Sequence, residues 1–320
     1  ESKSGSTNVK AGPLGATLVD VALGHMLLGQ VHRSGSNEEN QGRRNPVFYN
    51  RLFGEKYLPD PHLEGFLPTP EEAEEDADSG LPLTGTRLGV FWDHFKHTDP
   101  EVYQKSLEVV RYLEEDLGAT IVNITVPYLR EIHFSHAMKI VSEFGKTWEG
   151  PFYNSSHKLE ANTEIIVILG RCITANEILA AETIRTFAIR YFREYLFGSK
   201  GLDAILSPAV GTKVPKTPRG YRHSGESNSA LVYEVMKYVP TANFLGLPGL
   251  VVPVGYEADT KLPIGFQFLG DAWTESTLLK LGRLVEEGFF RKSGVRRRTP
   301  PPQNFFDVLS PWLGVGGDAP

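Results

Sequence analysis

A strand–helix–strand unit in the middle of the chain constrains the fold more than any other feature. The apolar run at 87–92 predicts a buried strand, and Asp99 followed by Pro100 is the combination of cap and first-turn residue that opens a helix. Apolar positions at helical spacing continue from there to Gly118, and the run at 119–124 predicts a second strand. Two strands joined through a helix pair in parallel with a right-handed crossover. The chain is therefore expected to contain a parallel sheet.

Helical and strand patterns alternate through the rest of the sequence. Apolar residues at helical spacing predict further helices at 17–29, 129–148, 159–169, 175–197, 227–239 and from 274 onward. Short apolar runs predict further strands at 201–208, 250–254 and 264–268. Helices interleaved with short strands indicate an α/β fold with a mixed, mainly parallel sheet covered by helices.

Two segments show neither the helical nor the strand spacing of apolar residues. Residues 31–86 are dominated by proline, glycine and acidic side chains, and we expect a long irregular loop there. Residues 291–320 form a basic, proline-rich tail. The folded part is therefore expected within residues 1–290.

Composition excludes several classes of function. The net charge is −6 and the basic residues are scattered, so no nucleic-acid partner is expected. A single cysteine, Cys172, cannot form an internal disulfide, which favours an intracellular protein, cytoplasmic or peripheral to an internal membrane. No apolar run reaches the ~20 residues of a membrane-spanning helix. Contact with a membrane surface and homodimerisation stay open.

The usual signatures of catalysis and of cofactor binding do not occur in the sequence. His94 with His97, and His133 with His136, have a spacing that places two imidazoles on one helix face, but they lack the glutamate of a zinc-protease helix and a third ligand. There is no glycine-rich phosphate loop and no Gly-x-Ser-x-Gly turn. Cys172 has the surroundings of a packed thiol. We therefore predict no metal and no cofactor.

A broken apolar run at 238–249 is the one sign of a pocket. Proline and glycine interrupt it at Pro240, Gly246, Pro248 and Gly249. Such interruptions allow the backbone to line a cavity instead of continuing a helix. A tight turn before the strand at Leu250 explains the same pattern equally well.

Four motifs, taken in order, resemble one known family. They are the Gly-Pro-Leu-Gly-Ala-Thr-Leu-Val-Asp segment at 12–20, the strand at 202–208 ending in Ser-Pro, the Thr-Ala-Asn-Phe-Leu-Gly-Leu-Pro-Gly segment at 241–249, and Leu-Pro-Ile-Gly-Phe-Gln-Phe-Leu-Gly at 262–270. Their order and spacing are similar to the amidase signature family, and most similar to the plant-type fatty acid amide hydrolases.

This resemblance implies a serine amidase whose catalytic core is absent. In the family, a lysine activates a serine nucleophile through a bridging serine, upstream of the segment that matches residues 12–20. No lysine or serine of this chain matches those positions, so the chain alone is expected to be inactive. The first residue is Glu1 and not Met, which suggests a fragment or a processed piece. Residues 1–290 then correspond to the C-terminal portion of one amidase domain.

What the chain is expected to retain is part of a pocket for a small acyl amide. The resemblance implies that the candidate substrate-binding residues are Val210, Gly211, Tyr238, Ala242, Phe244, Leu245 and Trp273. The expected substrates are fatty acid amides or N-acylethanolamines. Two alternatives remain: an amidotransferase subunit of the same family, and a non-catalytic binding or scaffold protein derived from an amidase.

Overall fold

A five-stranded sheet forms the centre of the computed structural model, which describes residues 12–15, 17–29, 80–148, 161–216 and 228–293. The strands are β1 Arg87–Val90, β2 Thr120–Asn123, β3 Ala204–Pro208, β4 Gly249–Tyr256 and β5 Pro263–Leu269. Their order across the sheet is β2-β1-β3-β5-β4. β1 pairs in parallel with β2 and β3, and β5 pairs antiparallel with β3 and β4. Four strands thus run in one direction, which confirms the predicted mixed, mainly parallel sheet.

The strand–helix–strand unit forms as predicted. The helix between β1 and β2 is α3 Pro100–Arg111, which follows a short helix α2 at Trp92–Phe95. The Asp99 carboxylate accepts a hydrogen bond from the backbone N–H of Glu101 at 2.9 Å, so it caps the helix as its sequence position suggests. Wider π turns at Tyr112–Asp116 extend α3, and Gly118 ends the segment with φ +80°. Only glycine adopts this conformation without strain.

One face of the sheet packs against three helical segments. These are α1 Leu18–Gly29, α3, and α9 Glu275–Leu284, which continues through π turns at Val285–Phe289 into α10 Phe290–Ser293. The fully buried side chains of this core include Leu88, Phe266 and Phe268 from the strands. The Glu286 carboxylate accepts a hydrogen bond from the backbone N–H of Leu18 at 3.2 Å, which ties α1 to the π turns after α9.

The opposite face is covered by a second group of helices. They are α4 Leu129–Thr147, α6 Ala175–Arg190 with its π continuation Tyr191–Ser199, and α8 Pro240–Leu245. Two further helices, α5 Ala161–Cys172 and α7 Ser229–Met236, complete this side. α5 crosses α4 closely, since a Cβ atom added to Gly170 would lie only 2.3 Å from the carbonyl oxygen of Val141.

Several predicted boundaries differ from the structure. The broken run at 238–249 contains the helix α8, which ends where Gly246 adopts φ +73°. The helix predicted at 159–169 is observed at 161–172, and the helix predicted at 175–197 changes to π turns at Tyr191. The irregular loop predicted at 31–86 lies outside the described residues up to position 79, and so does the tail beyond Ser293.

Candidate functional site

A small cavity lies where the parallel strands β1 and β3 end. In open α/β sheets, ligands bind beyond the carboxyl ends of the strands, so a ligand site is expected at this position. The cavity has a volume of about 60 Å³. Side chains from the segment after β1, from β3 and β5, and from the start of α8 line it, among them Phe91, His94, Ser207, Tyr238, Thr241 and Gln267.

Tyr238 is held in this cavity at both its side chain and its backbone. Its phenol donates a hydrogen bond to the carbonyl oxygen of His94 at 2.9 Å, and its own carbonyl accepts one from the Gln267 amide at 3.4 Å. The ring centroids of Tyr238 and His94 are 4.6 Å apart. Burial raises the pKa of Tyr238, so the phenol stays protonated and acts as a donor.

Two histidines from different elements meet beside Tyr238. His133 is buried and His94 half-buried, and their ring centroids are 5.9 Å apart. Burial lowers the pKa of each imidazole from 6.5 to about 4, and the positive charge of Lys237 acts in the same direction. His133 Nε2 lies 3.3 Å from the Thr241 hydroxyl oxygen. Both rings are therefore neutral at pH 7.

The histidine pairs that the sequence suggested do not form the contact that the structure shows. His94 lies against His133 instead of His97, which is exposed. His136 is held separately, with Nε2 2.8 Å from the side-chain oxygen of Asn243, and burial lowers its pKa. Across the described ranges, no three His, Cys, Asp or Glu side chains are grouped so that they could hold a metal ion.

The predicted residues of α8 lie close to this site but mainly within the core. Phe244 and Leu245 are buried on the α4–α6 side of the sheet, and Ala242 is half-buried beside them. The Arg185 guanidinium donates from Nε to the carbonyl oxygen of Phe244 at 2.7 Å and lies 5.8 Å from the centre of its ring. Arg185 thereby fixes the end of α8.

Of the other predicted residues, Gly211 approaches Tyr238 directly. A Cβ atom added to Gly211 would lie 3.6 Å from the Tyr238 ring and 3.3 Å from the carbonyl oxygen of Glu234. Val210 precedes it and is half-buried. Trp273 lies elsewhere: it follows β5, whose end pairs with the beginning of β3, and its φ is +67°. The structure thus brings Gly211 and Tyr238 together, whereas Trp273 follows the end of β5 that pairs with the beginning of β3, away from the end of β3 at which the cavity lies.

A large apolar groove opens next to the histidines and was not predicted. It lies between α4, α5, α6 and α7 and has a volume of about 1430 Å³. His133 lines this groove and contacts His94, which lines the small cavity. The exposed apolar side chains along the groove are Phe134, Ile165, Ile166, Leu169, Val232, Tyr233 and Met236. The sequence did carry one sign of the groove. The apolar residues at 165–169 of α5 are consecutive, so they cannot all lie on a single buried face of the helix.

A network of ion pairs links the helices α4 and α6. Lys139 is 9% exposed and forms ion pairs with Glu182 and, at 3.5 Å, with Glu143. Glu182 in turn lies 3.5 Å from a guanidinium nitrogen of Arg185. The charges of this network compensate one another, which a buried lysine requires.

The fold is that of an amidase. A solved amidase structure superimposes with a TM-score of 0.52 at 21% identity, covering 68% of this chain and 49% of that one. The sequence model of the Amidase family matches residues 53–279. The chain belongs to the amidase signature family.

Two curated relatives show where in the family the chain falls. It is 31% identical to a fatty acid amide hydrolase of Medicago truncatula over 245 residues, which are 76% of this chain and 38% of the relative. It is 36% identical to a glutamyl-tRNA(Gln) amidotransferase subunit of Afipia carboxidovorans, over 34% of this chain and 21% of that protein. The chain thus spans less than two-fifths of the length of these relatives. None of the helices in the part of the chain that the structure describes is long and apolar enough to cross a membrane.

Proposed function

We propose that this chain forms the acyl-binding portion of a serine amidase that hydrolyses fatty acid amides or N-acylethanolamines. The observation that carries the proposal is the apolar groove of about 1430 Å³, which ends at the histidines beside Tyr238. An acyl chain in such a groove gains about 0.8 kcal/mol for each buried CH₂. The polar groups at its end would face the amide.

The proposal places the reacting groups outside this chain. A serine nucleophile activated by a lysine is what the family resemblance implies, with backbone N–H groups holding the oxyanion. By the same resemblance we expect no residue of this chain at those motif positions, and we propose that a longer form of the protein supplies them. Substrates are therefore to be tested on protein made from the longest transcript of the locus.

The apolar lining favours an acyl substrate over the glutamine of an amidotransferase. A glutamine substrate needs a cation for its α-carboxylate. Arg130 and Lys237 are basic side chains within a lining that is otherwise mainly apolar, and Lys237 already donates a hydrogen bond to the carbonyl oxygen of His97. The likeness to the fatty acid amide hydrolase also covers more than twice the share of this chain that the likeness to the amidotransferase covers.

A fluorophosphonate probe tests the chemistry first. We expect the long form to be labelled and the 320-residue chain to stay unlabelled. If neither form is labelled, the hydrolase proposal fails and the scaffold alternative takes its place. Labelling of the short chain would show that the nucleophile lies within it. Glutamine-dependent transfer without hydrolysis of acyl amides would favour the amidotransferase.

A matched pair of variants on α5 tests the groove. Ile166 lines the groove, whereas Ile168 is similarly exposed on the same helix and is not among the groove residues. In the long form, kcat/KM for a series of acyl amides should rise by up to about fourfold for each added CH₂ that reaches the groove. Ile166→Ser should flatten this rise and Ile168→Ser should leave it unchanged. Equal profiles for the two variants would exclude the groove as the acyl site.

A further inference from the structure

A lysine lies at the polar end of the apolar groove. Lys237 follows α7 directly and lines the groove together with His133. Its stem packs against Gly211, with Cδ 3.3 Å from the position that a Cβ atom on this glycine would occupy. Beyond the effect of burial, the charge of the ammonium lowers the pKa of both His94 and His133, so it lies near both rings. The polar end of the groove therefore carries a positive charge.

This ammonium is mostly buried, and its charge is only partly compensated. The Lys237 side chain is 14% exposed, and one of its three N–H groups donates to the carbonyl oxygen of His97 at 2.6 Å. Among the described residues its one ion pair is with Glu234, at 3.7 Å and on a side chain that is 48% exposed. Buried charges in proteins are normally paired more closely than this. Within the described ranges, two N–H groups of the ammonium thus remain for an anionic group of a ligand.

A second lysine on the same side of the sheet shows what full compensation looks like. The ammonium of Lys139 contacts the carboxylates of both Glu182 and Glu143. Lys139 does not line the groove, whereas Lys237 does. The lysine that faces the groove is therefore the one whose charge is not matched by the protein.

The other charged side chains of the groove lining lie nearer to solvent. Arg130 and Glu131 are exposed. Glu177 is exposed as well, and its carboxylate accepts hydrogen bonds from the backbone N–H and the hydroxyl of Thr174. Lys237 is thus the most buried charged side chain of the lining.

We propose that the groove also binds a free long-chain fatty acid, with its tail along the apolar side chains and its carboxylate on the Lys237 ammonium. A ligand with one anionic group on an apolar tail matches a lining with one buried cation. Glutamine would instead bring its own ammonium beside that of Lys237, which is unfavourable. The inference rests on the acyl groove of the proposed function but not on hydrolysis, because the residues of this chain are sufficient for it.

The same acid is the product of the proposed reaction. Hydrolysis of an acyl amide adds water across the C–N bond and gives a fatty acid and a free amine. The carboxylate then forms where the amide lay, next to Lys237. The acid therefore stays bound after the reaction and inhibits the next turnover.

Three ligands with the same tail and different headgroups test the inference, namely dodecanoate, dodecanamide and dodecylammonium. Isothermal titration calorimetry on the 320-residue chain at pH 8, below micelle-forming concentrations, measures their Kd values. We expect dodecanoate to bind at least about tenfold more tightly than dodecanamide, because hydrogen bonds between two charged groups are stronger than those of a neutral headgroup. Dodecylammonium should bind most weakly, since its charge repels that of Lys237.

Substitutions of Lys237 and Glu234 should change the binding of the acid in opposite directions. Lys237→Met keeps an apolar stem and should abolish the preference for dodecanoate over dodecanamide, whereas Lys237→Arg should retain most of it. Glu234→Gln removes the competing carboxylate and should tighten dodecanoate about twofold without affecting dodecanamide, a gain that misfolding cannot produce. Lys280→Met, at an exposed position of α9, is the control and should match the wild type. In the long form, the inhibition constant of dodecanoate should rise about tenfold in Lys237→Met.

Two results would overturn this inference alone. The first is a wild-type chain that binds dodecanamide as tightly as dodecanoate, and the second is a preference for the acid that Arg130→Met removes and Lys237→Met preserves. In both cases the groove still binds an acyl chain, and the proposed function stands. If none of the three ligands binds, the inference fails together with the groove as acyl site. Tight binding of dodecanoate by a protein whose long form hydrolyses no acyl amide would support the inference and refute the hydrolase.

Discussion

Acidification from pH 7 to pH 5 should destabilise the fold through the imidazoles of His94 and His133. Burial lowers both pKa values from 6.5 to about 4, and the charged and titratable groups facing the pair add to the effect. For His94 these are Lys237 and His97, and for His133 they are His94, His136 and Lys237. In the unfolded chain both rings return to ordinary values near 6.5.

The direction follows from where the protons bind. Between pH 6.5 and about 4, the two imidazoles are protonated in the unfolded chain and neutral in the folded chain. The free energy of unfolding therefore falls as the pH falls through this window. Above pH 7 both states are neutral at these rings and no pH dependence arises from them. Lowering the pH from 7 to 5 should reduce the free energy of unfolding by about 2 kcal/mol for each ring and about 4 kcal/mol for the pair. This is a large part of the roughly 5–15 kcal/mol typical of a domain.

Urea denaturation at pH 7, 6 and 5 measures this loss. The comparison is between the wild type and the double variant His94→Gln, His133→Gln, which should lose about 4 kcal/mol less over the same range because glutamine does not titrate. His97→Gln is the matched control, since His97 is exposed in the same segment and makes the smallest contribution to the lowered pKa of His94, so this variant should stay close to the wild type. Equal pH dependence in the wild type and the double variant would refute the reasoning, as would an NMR titration that places both imidazoles near 6.5.

Two further substitutions test how the helices pack around the site. Phe244→Ala should lower the free energy of unfolding by about 3–5 kcal/mol, because the ring is fully buried, whereas Leu179→Ala, at a side chain 65% exposed, should change it little in the same urea experiment. Gly170→Ala should lower the melting temperature, because its Cβ would lie 2.3 Å from the carbonyl oxygen of Val141 and force α4 and α5 apart. Gly12→Ala, with nothing within 4 Å of the added atom, is its control, and an equal effect of the two alanines would contradict the packing argument.

The parts of the fold that sequence could predict are those set by local rules. Asp99 and Pro100 begin α3 because a carboxylate can cap the free N–H groups and proline fits the first turn. The parallel pairing of β1 with β2 then follows, because two strands joined through one helix are usually neighbours in the sheet and connected by a right-handed crossover. The capping box of α6, in which Thr174 and Glu177 satisfy each other's backbone N–H groups, is another local signal of the same kind.

The contacts of the site depend on residues far apart in the chain and were not predictable in this way. His94 and His133 lie on different elements, and only the packing of α4 over the end of β1 brings their rings together. Helical spacing within one segment pointed to His97 and His136 as the partners, because that rule sees only neighbours along one helix. The groove has the same origin, since four helices each contribute a few exposed side chains to it.

The proposed acyl groove and its polar end would control different parts of substrate choice. The groove is open and lined by exposed apolar side chains such as Met236 and Ile166. An apolar surface separates substrates that differ by one CH₂ by only about 1–3 kcal/mol, so the preference for acyl length would be graded. Buried polar groups that need partners discriminate more strongly, because a wrong substrate leaves them unsatisfied. Selection of the leaving amine would therefore depend on groups near Tyr238, whose phenol is fixed by His94. Substitutions along the groove should shift chain-length preference, whereas substitutions at this polar end should shift preference among amines.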